Sequence, residues 1–225
     1  MKEEEKMKAV VFDMDGVIFD SEKLYRKHWK ITGKEYGIDD REMEELCNLI
    51  AGAPREHNEK LMKSRFGEEF DYTAFREATM TRMDEDILQN GLDLKPGVLE
   101  LFQYLKEEGY KIGLATSTQQ ERAERNLKNA GILDVFDKIV YGGTVPNGKP
   151  APDIYIKACE ELEVAPCDAI GIEDSMNGVK SSSAAGLYTI MVVDLIQPTE
   201  EIGLLANRIY DSLFDVIHML QKGII

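Results

Sequence analysis

The chain has 225 residues and a formal net charge of −15, with 43% hydrophobic and 31% charged residues. This composition is typical of a globular protein that can bury a full core, and no run approaches the ~18 apolar residues of a membrane span. Such an acidic chain lacks the basic face that nucleic acid or an anionic membrane needs, and we expect neither as a partner. The first eight residues also lack the apolar segment of a signal peptide, and we expect a cytoplasmic monomer.

The first predicted element is a buried strand at 8–12 that ends in two carboxylates. Its valine-rich sequence is typical of a parallel sheet covered on both faces. Asp13 and Asp15 follow two residues apart, so in an extended chain they would project to the same side, roughly 7 Å apart, where one cation could bridge them. Gly16 then lets the backbone leave the strand without a Cβ clash. Alone, this pattern could also be a polar turn.

The next segment, 20–91, is predicted to be entirely helical. Apolar residues recur three or four positions apart in about four successive stretches, and nothing alternates as a strand should. Pro54 suits the first turn of one of these helices. We therefore expect 20–91 to be an inserted helical domain, and 1–19 together with 92–225 to form the core domain.

From residue 93 onward, predicted helices alternate with strands. Thr118 with Glu121 matches a capping box and predicts that a helix begins there. The alternation implies an α/β fold with a parallel sheet and right-handed crossovers, which is a Rossmann-like three-layer core. The predicted strands of this part are 110–115, 138–141, 169–172 and 188–193.

Polar residues follow three of these strands. Thr116, Ser117 and Thr118 come after the first, Lys149 lies in the loop after the second, and Glu173, Asp174 and Ser175 follow the third. Each could have a structural role, as a helix cap, a solvated lysine or an acidic first turn. Since functional groups of such sheets collect at the carboxyl ends of the strands, we expect these residues to meet the two aspartates at one edge.

This set of side chains fits phosphoryl transfer assisted by Mg²⁺. Oxygen ligands suit Mg²⁺, and a carboxylate can act as a nucleophile through an aspartyl-phosphate intermediate while a second carboxyl protonates the leaving oxygen. The rate acceleration for phosphate monoesters can reach ~10²¹, whereas one acid or base typically supplies ~10²–10⁴. No single group would therefore suffice.

The polar residues that follow four of the predicted strands form four clusters along the chain, with a helical insert after the first cluster. In this order they resemble the motifs of the haloacid dehalogenase superfamily. Within it, they are similar to the phosphatases and the β-phosphoglucomutase-like phosphomutases, whose helical cap lies between motifs one and two. The resemblance covers essentially the whole chain. Its most specific parts are Asp13-Met-Asp-Gly-Val and Gly171-Ile-Glu-Asp-Ser.

The resemblance implies roles for the residues of the first three clusters. Asp13 would be the nucleophile and a Mg²⁺ ligand. Asp15 would be the general acid and base, and its backbone carbonyl would also bind the metal. Thr116, the Ser117 amide and Lys149 would hold the phosphoryl group.

The resemblance also implies roles for the last cluster and the cap. Asp174, with Glu173 beside it, would complete the metal site, and Asn177 would support that loop. The cap would close over the core and exclude water during transfer.

Three functions stay open at this stage. The leading one is a Mg²⁺-dependent phosphatase acting on a small phosphorylated metabolite such as a sugar phosphate. A β-phosphoglucomutase-like mutase is the alternative. Arg55 matches a cap arginine of those mutases, whereas Tyr25 and Ala51 stand where they carry histidine and lysine. Arg55 is therefore either a specificity contact or an exposed first-turn residue. The complete motif set counts against the third function, a non-catalytic binding module.

Overall fold

The computed structural model describes residues 7–50, 55–194 and 197–223. The chain divides into two compact units, one comprising Met1–Asp20 and Asp93–Ile225 and the other Ser21–Leu92. Ala51 and Pro54, which entered the interpretation of the sequence, lie outside the described residues.

The described part of the second unit consists of helices. Trp29, Met43 and Phe75 are fully buried at its centre, where the rings of Trp29 and Phe75 meet edge to face at 5.2 Å. The apolar positions at helical spacing therefore build one core shared by the helices. The helices are α1 (Ser21–Glu35), α2 (Asp40–Ile50), α3 (Arg55–Phe66) and α4 (Tyr72–Asn90).

The first unit contains a parallel sheet of six strands in the order β3-β2-β1-β4-β5-β6. Phe12 of β1 lies opposite Leu114 of β2 on one side and opposite Ile172 of β4 on the other. Since β1 is parallel to both neighbours, the residues that follow these three strands emerge at the same edge of the sheet. The strands are β1 (Ala9–Phe12), β2 (Lys111–Ala115), β3 (Lys138–Val140), β4 (Ala169–Glu173), β5 (Tyr188–Val192) and β6 (Arg208–Tyr210).

Helices cover both faces of this sheet. Val11 packs with Tyr155 in one buried cluster, whereas the ring of Phe12 meets Phe102 at 5.2 Å on the opposite face. Successive side chains of a strand alternate between faces, so both faces of β1 are buried. The predicted Rossmann-like α/β fold with an inserted helical segment is confirmed. The helices of this unit are α5 (Val98–Glu107), α6 (Gln120–Asn129), α7 (Asp153–Leu162), α8 (Met176–Ala185), α9 (Glu200–Leu205) and α10 (Leu213–Gln221). No helix in the described part of the chain is both long and apolar enough to span a membrane.

The segments of the first unit that flank the inserted unit are paired with each other. The Asp20 amide donates to the Asp93 carbonyl at 2.9 Å, and the Lys95 amide donates to the Ile18 carbonyl at 2.8 Å. Phe19 and Leu94 form an antiparallel bridge between these two bonds. The chain therefore leaves and rejoins the first unit at neighbouring points.

Within the second unit, the carboxylate of Asp86 connects α4 to α1. Its Oδ2 is 2.6 Å from Lys27 Nζ and 2.7 Å from His28 Nε2, and its Oδ1 accepts a hydrogen bond from Asn90 at 2.6 Å. The hydrogen bonds from Lys27, Asn90 and His28 hold the pKa of Asp86 well below its usual range. Asp86 is therefore a charged anchor between the two helices.

We expect Asp86→Asn to lower the free energy of unfolding by about 1–2 kcal/mol at pH 7, because hydrogen bonds to a charged group contribute about 1.5–3 kcal/mol and the amide keeps part of them. A carboxyl whose pKa is depressed on folding stabilises the protein above its unfolded pKa of about 3.9 and loses this contribution as the pH falls further. The difference between wild type and variant should therefore shrink below about pH 4, as measured by denaturant unfolding.

Glu85→Gln is the control for this experiment, since Glu85 is exposed on the same helix. It should change the free energy of unfolding by less than about 0.5 kcal/mol. A difference between wild type and Asp86→Asn that stays constant into the acid range would contradict the anchoring role.

Candidate active site

A cavity of about 280 Å³ opens in the first unit at the residues that follow its strands. The Asp13 amide donates to the Ile172 carbonyl at 2.9 Å, which continues the pairing of β1 with β4 and places Asp13 at this edge. The structure thus brings together residues from the loops after β1, β2, β3 and β4. The cavity is lined by Asp13, Asp15, Ser117, Lys149, Asp174, Ser175 and Asn177.

A buried ammonium group connects two carboxylates beside this cavity. Lys149 Nζ donates to Asp13 Oδ1 at 2.5 Å and to Glu173 Oε1 at 2.6 Å. The side chains of Lys149, Asp13 and Glu173 are 7%, 12% and 0% exposed. Charges removed from water to this degree are stable only when they are paired, so each of the three groups depends on the others.

Glu173 is held by several further donors. Tyr155 Oη donates to its Oε1 at 2.8 Å, and Ser175 Oγ donates to its Oε2 at 3.2 Å. Any residue other than glycine at position 178 would displace Glu173, because a Cβ would lie 1.8 Å from its carboxyl carbon. Since Glu173 is the last residue of β4 and not part of a helix, the alternative of an acidic first turn does not apply to it. Its fixed carboxylate can orient the ammonium group of Lys149.

Three carboxylates form a group that fits a divalent cation. Asp13, Glu173 and Asp174 each offer one oxygen, and these oxygens lie within 4.8 Å of one another. Burial raises the pKa of Asp13 to about 7, with Lys149 opposing the shift and the charges of Glu173 and Asp15 adding to it. Burial, with the charges of Asp13 and Glu173, also raises the pKa of Asp174. One lysine does not balance these charges, whereas a hard cation would accept the oxygen donors.

Asp15 has a different set of contacts from Asp13. Its Oδ2 accepts a hydrogen bond from Thr118 Oγ1 at 2.8 Å, and its carboxyl is not part of the three-carboxylate group. The chain turns at this point through Gly16, whose φ is +81° and whose Cβ, if present, would lie 2.1 Å from Asp174 Oδ2. The turn places the two aspartates in separate surroundings. Metal binding by the Asp15 backbone carbonyl stays a prediction.

Thr116 and Ser117 lie in the loop after β2. Thr116 is buried, and its Oγ1 accepts a hydrogen bond from the Thr118 amide at 3.0 Å. Ser117 lines the cavity. Gly142 approaches this loop so closely that a Cβ would lie 2.0 Å from the Ser117 carbonyl oxygen. The contacts fix the loop, and its binding of a phosphoryl group stays a prediction.

The capping box predicted at Thr118 is wrong. Helix α6 begins at Gln120, and its N-cap residue is Gln119, which makes no side-chain cap hydrogen bond. The Thr118 hydroxyl is engaged with Asp15 instead. The local pattern could not reveal this, since the partner lies 103 positions away.

Sequence reasoning therefore named Thr118 as a candidate but assigned it to a helix cap, and it missed Tyr155 as a residue of the site. Tyr155 was expected to face inward from its helical spacing, and it does, but its hydroxyl also contacts Glu173. The position of Thr118 just after a strand was the signal that made it a candidate.

Two further residues that were predicted to belong to the site are exposed. Asn177 is exposed in the first turn of α8 and lines the cavity. Arg55 is exposed at the start of α3, in the second unit. The supporting role of Asn177 and the specificity role of Arg55 both stay predictions.

Comparison with known proteins identifies the family. A model of haloacid dehalogenase-like hydrolases matches residues 10–192. The chain is 33% identical to a phosphorylated carbohydrates phosphatase of Thermotoga maritima over 187 residues, which cover 82% of this chain and 84% of that protein. It is 35% identical to the beta-phosphoglucomutase of Bacillus subtilis over 219 residues, covering 94% of each.

A solved structure is also similar to this chain over most of its length. The crystal structure of a CbbY variant from Rhodobacter sphaeroides in complex with xylulose-(1,5)bisphosphate has a TM-score of 0.66 and 27% identity, and the match covers 92% of this chain and 95% of that chain. These findings confirm the resemblance that the motifs indicated. The chain belongs to the haloacid dehalogenase-like hydrolase family.

Proposed function

We propose that this chain is a Mg²⁺-dependent phosphatase that hydrolyses a small phosphorylated metabolite, such as a sugar phosphate, through an aspartyl-phosphate intermediate. The observation that carries the proposal is the pairing of Lys149 with Asp13 in a cavity that Asp15 and Asp174 also line. A carboxylate nucleophile, a second carboxyl, a cation and further oxygen ligands then share one space of about 280 Å³. The carbohydrate phosphatase relative supports the substrate class.

The first chemical step transfers the phosphoryl group to Asp13. A carboxylate oxygen of Asp13 attacks phosphorus, and the bond from phosphorus to the leaving ester oxygen breaks. The leaving oxygen takes the electron pair of that bond together with a proton from Asp15.

The second step hydrolyses the aspartyl-phosphate. A water molecule attacks phosphorus and gives a proton to the Asp15 carboxylate, which is the base at this stage. The bond between Asp13 and phosphorus breaks, inorganic phosphate is released and the Asp13 carboxylate is restored. Asp15 is again protonated, so both residues end as they began.

Lys149 allows an anionic phosphoryl group to approach an anionic nucleophile. The net charge of −15 repels an anionic substrate, so the site needs local positive charge. The ammonium group lies 2.5 Å from Asp13 Oδ1 and is kept in place by Glu173. A phosphoryl group beside Asp13 would therefore meet a fixed cation.

Asp13, Asp174 and the Asp15 backbone carbonyl would hold Mg²⁺, with Glu173 beside them. The all-oxygen donor set and the unbalanced negative charge of the three-carboxylate group support this assignment. When bound, the ion would neutralise charge on the phosphoryl oxygens.

We also propose that the second unit, Ser21–Leu92, is the cap and that Arg55 is one of its specificity contacts. The four helices are inserted between the loop that carries Asp13 and the strand that precedes Thr116. Caps of this kind set specificity through their shape and a few side chains. An exposed arginine can bind the oxygen atoms of a sugar or a phosphate.

A phosphomutase is the second candidate function, because the beta-phosphoglucomutase of Bacillus subtilis aligns with 94% of the chain. Tyr25 favours the phosphatase, since it stands where those mutases carry a histidine. Its ring packs on Trp29 at 5.4 Å, and burial raises its pKa. A phenol in this setting does not replace an imidazole in proton transfer.

Asp13→Asn should reduce phosphate release below about one-thousandth of the wild-type rate, because the amide does not form the covalent intermediate. The assay would follow phosphate from a panel of sugar and nucleotide monophosphates and an aryl phosphate. Asp134→Asn, at an exposed position of the first unit, is the matched control and should keep wild-type activity.

Full activity of Asp13→Asn would exclude Asp13 as the nucleophile. Wild-type protein that releases no phosphate, and that does not bind Mg²⁺ together with beryllium fluoride, would favour a non-catalytic binding module instead.

Removal of divalent metal with EDTA should abolish phosphate release, and added Mg²⁺ should restore it. Asp174→Asn should raise the Mg²⁺ concentration needed for half-maximal activity at least about tenfold, since even partners outside the metal's direct ligands are worth about 10–100-fold in affinity. Titration of activity against Mg²⁺ for wild type, Asp174→Asn and the Asp134→Asn control would measure this. Unchanged turnover in excess EDTA would disprove the metal requirement.

The phosphatase should release phosphate from β-glucose 1-phosphate or another sugar phosphate without forming glucose 6-phosphate. The mutase alternative requires isomerisation of β-glucose 1-phosphate to glucose 6-phosphate in the presence of a bisphosphate activator. Coupled detection of glucose 6-phosphate, run beside phosphate release, distinguishes the two. Isomerisation faster than hydrolysis would replace the phosphatase with the mutase.

A further inference from the structure

The hydroxyl group of Thr118 contacts the carboxyl that the proposed mechanism uses as acid and base. Thr118 Oγ1 donates to Asp15 Oδ2 at 2.8 Å, which is a typical distance for an O–H···O hydrogen bond. Both residues lie in loops that follow strands of the same sheet, β1 and β2. The hydrogen bond therefore joins two neighbouring loops through their side chains.

The backbone of Thr118 is itself held from two directions. Its amide donates to Thr116 Oγ1 at 3.0 Å, and its carbonyl accepts a hydrogen bond from the Gly142 amide at 3.0 Å. The close approach of Gly142 to Ser117, which only glycine permits, connects this loop to the loop after β3. Hydrogen bonds thus hold the backbone that carries the Thr118 hydroxyl. The hydroxyl can therefore restrict rotation of the Asp15 carboxyl about its side-chain bonds.

We propose that Thr118 is a positioning residue that keeps the Asp15 carboxyl in the orientation required for proton transfer. This inference rests on the proposed function of Asp15. A proton moves efficiently only when its donor and acceptor atoms lie about 2.6–3.2 Å apart, so a carboxyl that rotates away loses its effect. A hydroxyl can both donate and accept, and the contact can therefore persist whether or not Asp15 carries the proton.

The roles of the atoms in the two steps are distinct. In the first step, the O–H bond of Asp15 breaks as its proton joins the leaving oxygen. At the same time phosphorus loses its bond to that oxygen and forms a bond to a carboxylate oxygen of Asp13. In the second step, the attacking water returns a proton to Asp15. Thr118 keeps its own proton throughout and makes no bond to substrate.

The inference is tested by comparing substrates that differ in their need for an acid. Glucose 6-phosphate, or whichever alkyl monophosphate of the panel the wild type hydrolyses fastest, has a leaving oxygen that must be protonated. The leaving group of 2,4-dinitrophenyl phosphate departs without a proton. Thr118→Val should lower kcat/KM on the alkyl ester by about 10- to 100-fold and leave kcat/KM on the dinitrophenyl ester nearly unchanged.

The maximal rates should behave differently from kcat/KM. The value of kcat/KM covers the steps up to departure of the leaving group, whereas kcat also includes hydrolysis of the aspartyl-phosphate, in which Asp15 is the base. For the dinitrophenyl ester, kcat and KM of Thr118→Val should therefore fall together wherever hydrolysis of the intermediate limits turnover. A loss of folded enzyme would lower kcat without this change in KM.

Two further variants complete the experiment. Thr118→Ser, which keeps the hydroxyl, should retain kcat/KM on the alkyl ester within about threefold of wild type. Thr144→Val makes the same chemical change at an exposed position whose hydroxyl bonds only to the nearby Tyr141 carbonyl among the described residues, and it should match wild type on both substrates. Thr118→Ala repeats the test without the added methyl group, should Thr118→Val fail to fold.

Equal loss of kcat/KM on both esters, or no loss on either, would overturn the inference while leaving the phosphatase intact. A higher KM on the alkyl ester with unchanged kcat would also overturn it, because the hydroxyl would then bind substrate. Wild-type protein that hydrolyses neither ester would remove the proposed function itself, and the positioning role with it.

Discussion

The site depends on the sharing of one buried ammonium group by two carboxylates from different strands. Lys149 reaches Asp13 at the end of β1 and Glu173 at the end of β4, and all three side chains are almost removed from water. Loss of the lysine would leave two buried negative charges unpaired, which costs more than the pair contributes. The loop after β3 is therefore tied electrostatically to the central strands. This constraint fixes the position of the Lys149 ammonium group before any substrate binds.

The other contacts of the site bring backbone close to these charged groups. Gly16 lets the turn after Asp15 pass beside Asp174, and Gly178 lets α8 approach Glu173. In both places a Cβ would lie about 2 Å from a carboxylate atom, so a larger residue would displace that carboxylate. The glycines thus allow carboxylates to be enclosed by neighbouring backbone. Enclosure removes water, and it is the main cause of the raised pKa of Asp13 and of Asp174.

Much of the fold was predictable because its signals are local. Short apolar runs indicated the strands, and helical periodicity indicated the second unit. Because functional groups collect at the carboxyl ends of parallel strands, the edge where Asp13, Lys149 and Asp174 meet was also predictable. The two short elements α9 and β6 were not predicted, since six and three residues are too few to show a period. The partner of Thr118 was equally hidden, because a capping box is judged over four residues and Asp15 is 103 positions away. Side-chain partners across the sheet depend on how loops turn after each strand, and periodicity does not contain that information.

The pairing of the two segments that flank the second unit has a consequence for how such enzymes diversify. Ile18 to Asp20 and Asp93 to Lys95 lie side by side through two backbone hydrogen bonds and one bridge, all within the first unit. Exchanging the intervening helices for a foreign module, or for a tight hairpin, would require no stretching of the sheet or its connections. The unit that we propose as the cap could thus be replaced as a whole, while the residues around Asp13 keep their places in the unit that receives it.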